Sequence, residues 1–511
     1  MKEILDDRER AQRQQHRRLI ITEVLMFLAV LALVGFLTLV VMGYSFNLWG
    51  IGGSGEVVER TGLVQISSIP TGASIYIDGE SPLLLSTNAS RTMLAGEHEI
   101  ALKREGFYDW SKMVKVTEGL MYRLNYPRLF RIERETETVL EFRKPSKSET
   151  PAKLIENGVV HATGKYVGVS PNHEKMLFLI ENSLYVLNLN ENEPKLAELV
   201  MTDKNGNVIV PKTISKVEWS GNSERMLAMI NEQYAVVNIR NPKETVWLRD
   251  ILANCAKEQG LKDDWSAGEK CDKMVISEIK FESETGDRLL VLGDKNELLE
   301  LNVRDGKISK AILDEAEAFD NDNDKIIFID KEKELRAQRV GENDSYLVVK
   351  IEGKSPKIAT MRYFQENYVA VVDEGMFTIY AKMGWVTGDE EMEKVFEEKV
   401  GFEVKTLKKR GKGVAFEIRG TEGENKIFDI EAMETTTVDA TGAGWIDEYL
   451  RYRLKDGKLS VLDYDGLNEH ELVASGVLSG RTVTISGNNQ WLYYFTADTD
   501  GNEQLVREKL I

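Results

Sequence analysis

The chain has 511 residues, with 84 Asp and Glu against 66 Lys and Arg, a formal net charge of −18 and two cysteines. A surplus of carboxylates repels phosphate backbones and argues against nucleic acid as a partner.

The first 18 residues carry Arg8, Arg10, Arg13, His16, Arg17 and Arg18. From Val24 to Phe46 there are 23 consecutive positions without a formal charge. At about 1.5 Å per residue such a helix is roughly 34 Å long, enough for a hydrocarbon core of ~30 Å. The pattern predicts a cytoplasmic tail over 1–18, a transmembrane helix over 19–46 and a linker over 47–62. The basic flank stays on the cytoplasmic side, so everything after the helix is expected outside. A cleaved signal peptide is the rival reading, but its apolar region spans only about 7–15 residues and ends in a small-residue site. Tyr44 and Trp49 suit an outer membrane interface.

Residues 63–119 read as a small β domain. Leu63–Ser68, Ser74–Asp78, Glu97–Lys103 and Met113–Val116 alternate polar and apolar side chains, and Asp78-Gly79 supplies a turn that tolerates positive φ. The run from Ser68 through Pro70, Gly72 and Ala73 to Asp78 and Gly79 resembles the opening motif of PEGA domains. Leu94-Ala95-Gly96-Glu97-His98-Glu99-Ile100, followed by Gly106-Phe107, is similar to the second half of that motif. Glu80-Ser81-Pro82-Leu83 stands where the family has G-x-T-P. The resemblance implies a small extracytoplasmic β-sandwich that mediates interaction rather than catalysis.

Residues 120–157 read as a connecting segment, with Pro145–Pro151 a linker by composition. From 158 to 511 a repeat takes over. Lys165–Asn172 runs into Lys175–Ile180, Lys216–Asn222 into Arg225–Ile230, Glu278–Ser283 into Arg288–Leu292, and Thr482–Asn488 into Trp491–Phe495. Each is a strand, a turn near Ser, Asn or Gly, and a second apolar strand. Units begin near 164, 214, 276, 317, 357, 399, 443 and 479. Four-stranded units at that period predict a β-propeller, with eight blades and seven as the alternative. The turn pattern resembles WD40-like or TolB-type propellers. Only three strands follow position 479, so a strand from before the first unit, Val159–Thr163 or Thr138–Phe142, is expected to complete the last blade.

Cys255 and Cys271 flank a hydrophilic stretch that reads as a loop insertion. In an exported domain they are expected to form a disulfide contributing on the order of 3 kcal/mol. His98, His161, His173 and His470 share no ligand spacing, so no metal site is expected. Asp320–Asp324 opens like a calcium loop, but Lys325 and Lys331 stand where Gly and Glu belong, and a solvated acidic turn is the reading adopted. The glycines around Val414 and Ala443 lack the ending of a phosphate loop. No catalytic residue and no cofactor are expected. The acidic run 388–399 reads as an exposed loop or short helix, and Trp219, Trp445 and Trp491 as core packing.

The layout resembles PEGA domain-containing surface proteins of bacteria. It implies a mainly β, single-pass membrane protein of the cell envelope. The expected role is a non-catalytic binding or scaffolding module, whose propeller holds a protein, peptide or cell-wall polymer. An extracellular hydrolase or lyase with a site in the propeller channel is one alternative; a sensor or assembly factor with a cytoplasmic partner is another.

Overall fold

The computed structural model describes residues 22–38, 44–46, 58–80, 86–143, 154–255, 274–313, 316–322, 325–339, 345–363, 366–383, 392–410, 414–439 and 442–511. Residues 22–38 are helical, with Val24, Phe27, Leu31 and Phe36 among the exposed apolar side chains. Among the described residues, no helix is long and apolar enough to cross a membrane. The span expected over 19–46 does not continue to its last residues: Tyr44–Phe46 is a strand paired antiparallel with Val58–Ile66, Tyr44 opposite Arg60. Two aromatic residues beside an available strand edge favour the pleated conformation over a last helical turn.

The chain divides into two compact units, Met1–Phe130 and Arg131–Ile511. In the first, Val58–Ile66 pairs with Ala89–Leu94 and Met121–Leu124, and a second sheet runs Ser74–Ile77, Gly96–Lys103, Trp110–Val116. Alternation puts Val64 and Ile66 from one sheet, and Ile75, Ile100, Leu102 and Trp110 from the other, out of solvent. Gly62 marks where the layers approach closely, since a Cβ there would lie 2.5 Å from the Thr117 carbonyl oxygen. Val58–Gly62 begins this domain inside the stretch read as linker. Met121–Leu124 extends it into the stretch read as connecting segment.

Among the described residues the second unit is a ring of eight sheets, antiparallel but for one added strand. Blades 1 to 7 are four-stranded, with strands between 164 and 198, 214 and 247, 276 and 313, 316 and 350, 357 and 399, 404 and 437, and 443 and 473. Blade 8 joins Thr484–Ile485, Trp491–Ala497 and Glu503–Lys509 to Thr136–Phe142, which lies antiparallel to Glu503–Lys509. Val159–Val160 then adds in parallel outside Thr136–Phe142. Both candidate strands thus join the last blade, and Thr136–Phe142 is the one that completes it. The sixth unit begins at Val404 rather than near 399, because Glu393–Lys399 is the outer strand of blade 5.

Period-2 alternation makes the ring. In Lys175–Ile180, Met176, Phe178 and Ile180 face blade 8, where they meet Phe142, Tyr493, Phe495 and Leu505. Leu177, between them, faces the opposite way into the core shared with Met226, Ala228 and Val237 of blade 2. Each central strand is therefore buried on both sides and reads as a continuous apolar run. Similar cores join blades 2 and 3, 3 and 4, 4 and 5, and 5 and 6. Polar bonds also close the ring: the Tyr493 hydroxyl donates to the Leu189 carbonyl at 2.8 Å, and Arg507 Nη1 to the Glu191 carbonyl at 2.9 Å.

Two sequence expectations are corrected here. Asp320 and Asp322 are not in a solvated turn but on the inner strand Ala316–Asp322 of blade 4. The acidic run is neither loop nor helix over its described part: Glu393–Lys399 is a strand with Phe396 packed on Phe428 at 4.7 Å between ring centroids. In both, an inward-packed phenylalanine (Phe319, Phe396) and partner strands outweigh local charge. Cys271 lies outside the described residues, and with it the expected Cys255–Cys271 bridge.

Candidate binding site in the propeller channel

The first strands of blades 1 and 2, 2 and 3, 4 and 5, and 5 and 6 touch one another and form the inner wall there. A cavity of about 850 Å³ opens there, bounded by blades 2 to 6 with Pro171 of blade 1 and Glu448 of blade 7 at its margins. Its wall is charged, and three of its carboxylates hold blades together. Glu218 of blade 2 accepts the Phe281 N–H of blade 3 at 3.2 Å. Asp320 of blade 4 accepts Lys280 Nζ of blade 3 at 3.0 Å and the Thr360 N–H of blade 5 at 2.9 Å. Asp322 accepts the Arg362 N–H of blade 5 at 2.5 Å and Lys409 Nζ of blade 6 at 2.6 Å. Between these two aspartates, Asn321 points the other way and donates to the Phe281 carbonyl at 2.9 Å.

Burial disfavours the Lys280 ammonium, yet Asp320 and Glu278 outweigh it and hold the lysine above its ordinary pKa. Burial pushes the Glu218 carboxyl up, opposed by the Phe281 N–H and Lys280. Carboxylates converge on the cavity from blades 2, 3 and 4, and lysines meet them there.

A second feature lies at the rim of blade 3. In blades 1, 2 and 8 the first strand ends in one repeated turn. The hydroxyls of Ser170, Ser220 and Ser486 donate to Asn172, Asn222 and Asn488 at 2.7, 2.8 and 2.6 Å. Each serine oxygen also accepts the N–H five residues on, at 3.0 Å in all three. Glu282 holds this place in blade 3, its N–H donating to the Arg288 carbonyl as Ser220 does to Arg225. The Glu282 carboxylate and Glu300 are buried, and Arg288 stands 3.8 and 3.5 Å from them. Burial, then the neighbouring Glu300, push the Glu282 carboxyl up to about 7 against the pull of Arg288. Glu282 lines both the channel and an adjoining cavity of about 600 Å³ with Asp287 and Arg304.

The residues singled out in the small β domain take positions that explain their identities. Ser68 is buried, donates to the Pro70 carbonyl at 2.6 Å and shares a hydrogen bond with Thr87 at 2.7 Å. The N–H groups of Gly72 and Ala73 donate to the same Thr87 hydroxyl at 3.0 and 3.1 Å. Asp78 and Gly79 both have positive φ, at 51° and 81°, as their turn requires. Gly96 and Gly106 have φ of 150° and 79°. Asp78 accepts the Glu99 N–H at 2.9 Å and pairs with His98 Nδ1 at 2.7 Å, while His98 Nε2 lies 2.9 Å from the Leu94 carbonyl. His98 is therefore a clamp on the turn, not merely an alternating strand residue, and its hydrogen bond holds the Asp78 carboxyl below the usual range. His161, His173 and His470 join no ligand set, and among the described residues no group of three or more His, Cys, Asp or Glu could hold a metal.

The tryptophans divide. Trp219 packs against the core between blades 1 and 2 and lines the channel. Trp491 packs against the core between blades 8 and 1 and carries Arg507 on its ring at 4.0 Å, while Trp445 carries Arg451 at 5.6 Å. Trp445 also donates to Glu417 at 3.0 Å, in a buried cluster where Arg410 and Arg419 hold that carboxyl down to about 2 against its burial.

The channel pairs were missed in the sequence, although a signal exists. Lys280 and Asp320, Asn321 and Phe281, Asp320 and Thr360, and Asp322 and Arg362 are each about one blade period, 40 residues, apart. Complementary polar residues repeating at that interval on first strands would have marked them.

Residues 61–129 match the family model of the PEGA domain. No curated protein matches the chain. Among solved structures, the chain is similar to the C-terminal WD40 domain of Sif2, at 12% identity over 68% of this chain and 98% of that one, with a TM-score of 0.39. It is similar to a chain of the yeast heterotrimeric Nup82-Nup159-Nup116 nucleoporin complex, at 10% identity over 61% and 97%, with a TM-score of 0.38. A chain of the mitotic checkpoint complex matches at 13% identity over 58% and 91%, with a TM-score of 0.35. The eight-sheet ring rests on its own strand pairing.

Proposed function

We propose that this protein is a membrane-anchored, non-catalytic binding module of the bacterial cell envelope, in which the propeller channel receives a protein partner. The observation that carries the binding role is the cavity itself, open and bounded by five blades with two more at its margins, with carboxylates that already serve as inter-blade acceptors. A general acid or base needs a carboxyl free to exchange protons with a substrate. Asp320 and Asp322 each accept a backbone N–H and a lysine instead. The PEGA domain match supports an interaction role for the first unit.

The anchor is supported by the exposed apolar side chains of residues 24–37, which water does not tolerate as a contiguous surface. With the basic flank inside, both β units lie outside the cytoplasm. The test is paired. Protease added to intact cells is expected to digest the C-terminal half along with known surface proteins; protection of that half rejects the topology. Cross-linking of the tagged full-length chain in native envelopes is expected to capture a protein that a channel-blocking substitution, such as Thr406→Trp, releases. Substrate turnover by the purified chain that is lost in Asp320→Asn and Glu282→Gln would favour a channel hydrolase instead.

A further inference from the structure

The channel wall is electrically lopsided. On the inner strands of blades 2 and 4, Glu218, Asp320 and Asp322 are satisfied by neighbouring N–H groups and lysines. On blades 5 and 6 the wall carries Lys357, Arg362, Lys405 and Lys408. Among the described residues, none of these four side chains makes an ion pair or a hydrogen bond. In a chain with a net charge of −18, these four uncompensated cations make one side of the cavity basic, facing a wall that carries most of its carboxylates. A low-dielectric cleft focuses such a field toward an anionic ligand.

The chemistry of the wall narrows the ligand. Three of the four cations are lysines, which act as separate point charges rather than as bidentate forks for phosphate. They are spaced along two strands, which also bring Ile358 and Leu407 to the cavity lining. Across the cavity Glu282 and Glu284 would repel a polymer charged on every unit. A chain with a neutral backbone and a few carboxylates along one edge meets the basic arc without facing the acidic one.

We propose that the channel binds an acidic peptide segment, its carboxylates held by Lys357, Arg362, Lys405 and Lys408. This rests on the binding-module reading and supplies its partner chemistry. Such a contact is electrostatic at the rim, so salt weakens it steeply.

The test uses the full-length chain in detergent and fluorescein-labelled octapeptides read by anisotropy. A (Glu-Ala)4 peptide is expected to bind in 50 mM salt, at least tenfold more tightly than (Gln-Ala)4 or (Lys-Ala)4. Binding is expected to weaken at least tenfold in 300 mM salt, and again in the K405E/K408E double variant. Both lysines are exposed, and the milder K405Q/K408Q variant serves if charge reversal disturbs the circular dichroism spectrum. Equal binding of (Gln-Ala)4, or no loss in folded K405Q/K408Q, overturns the proposal. So does inorganic polyphosphate binding more tightly than the peptide, which would identify a polymeric phosphate ligand. If the partner cross-linked in envelopes is retained by K405E/K408E, the acidic-peptide assignment fails and the binding-module reading stands.

Discussion

Lys409 of blade 6 reaches past blade 5 to place its ammonium 2.6 Å from Asp322 of blade 4, across 87 positions of sequence. The same ammonium donates to the Asn321 carbonyl at 2.9 Å. Asp322 also takes the Arg362 N–H, so one carboxylate links three consecutive blades. Asp322→Ala strands that N–H and the lysine, and is expected to cost about 2 kcal/mol. Lys409→Ala is expected to cost less than half as much, because the lysine is about a third exposed and water compensates it. Urea denaturation at pH 7 measures both, and the double variant should fall short of the sum.

Ring closure depends on Phe142, contributed from before the first blade and packed at 5.6 Å on Phe178 of blade 1. A cavity there separates the closing strand from both neighbours. Phe142→Ala is expected to lower unfolding free energy by about 3–5 kcal/mol. Limited proteolysis should then cut first between 131 and 163, and cleavage elsewhere at equal rate would show that the seam is not the weak point.

Glu282 gives a pH dependence with a definite sign. Its carboxyl titrates at about 7 in the folded chain against an ordinary 4.5. The folded state therefore holds a proton that the unfolded chain has lost between those values. The stability that Glu282 contributes is complete below pH 4.5 and falls away as pH rises through 7. Glu282→Gln removes this dependence. Relative to the native chain it should be stabilising by roughly 2–3 kcal/mol at pH 8.5 and close to neutral at pH 4.5. Thermal melts of both proteins across that range provide the comparison.

Glu417 works in the opposite direction. Its carboxyl is held down to about 2, so its contribution is full above pH 4.5 and is lost as pH falls through 2. It accepts from Arg410, Arg419, Asn425 and Trp445 in a site that is almost wholly buried. Glu417→Ala leaves those guanidinium groups facing one another beside Arg451 and is expected to cost about 3–5 kcal/mol at pH 7. Acid titration followed by tryptophan fluorescence should show a steeper low-pH loss in the native chain than in Glu417→Gln, since Trp445 lies in the cluster.

The units beginning at 164, 214 and 479 were legible because apolar central strands and Ser-Asn turns recur there, and the turns make the same hydrogen bonds in all three blades. The need for an early strand was legible too, since an incomplete last unit leaves an edge. Asp320 and Asp322 were misread because a run of Asp and Asn has the local preferences of a turn. His98 was passed over because its partner Asp78 lies 20 residues away, with Ala89–Leu94 of the other sheet between them in the sequence.

Local pattern by itself determined the β architecture, the period of the repeat, the uncharged N-terminal run and the turn glycines of the small domain. Each of these is written in spacings of two residues, or in one residue's φ. The tertiary structure alone decided that Tyr44–Phe46 leaves the helix for a strand, that Thr136–Phe142 rather than Val159–Val160 completes blade 8, and which inner-wall charges meet. Strand partners and ion pairs are chosen by closure of the whole ring, which brings side chains 40 to 370 residues apart within hydrogen-bonding distance.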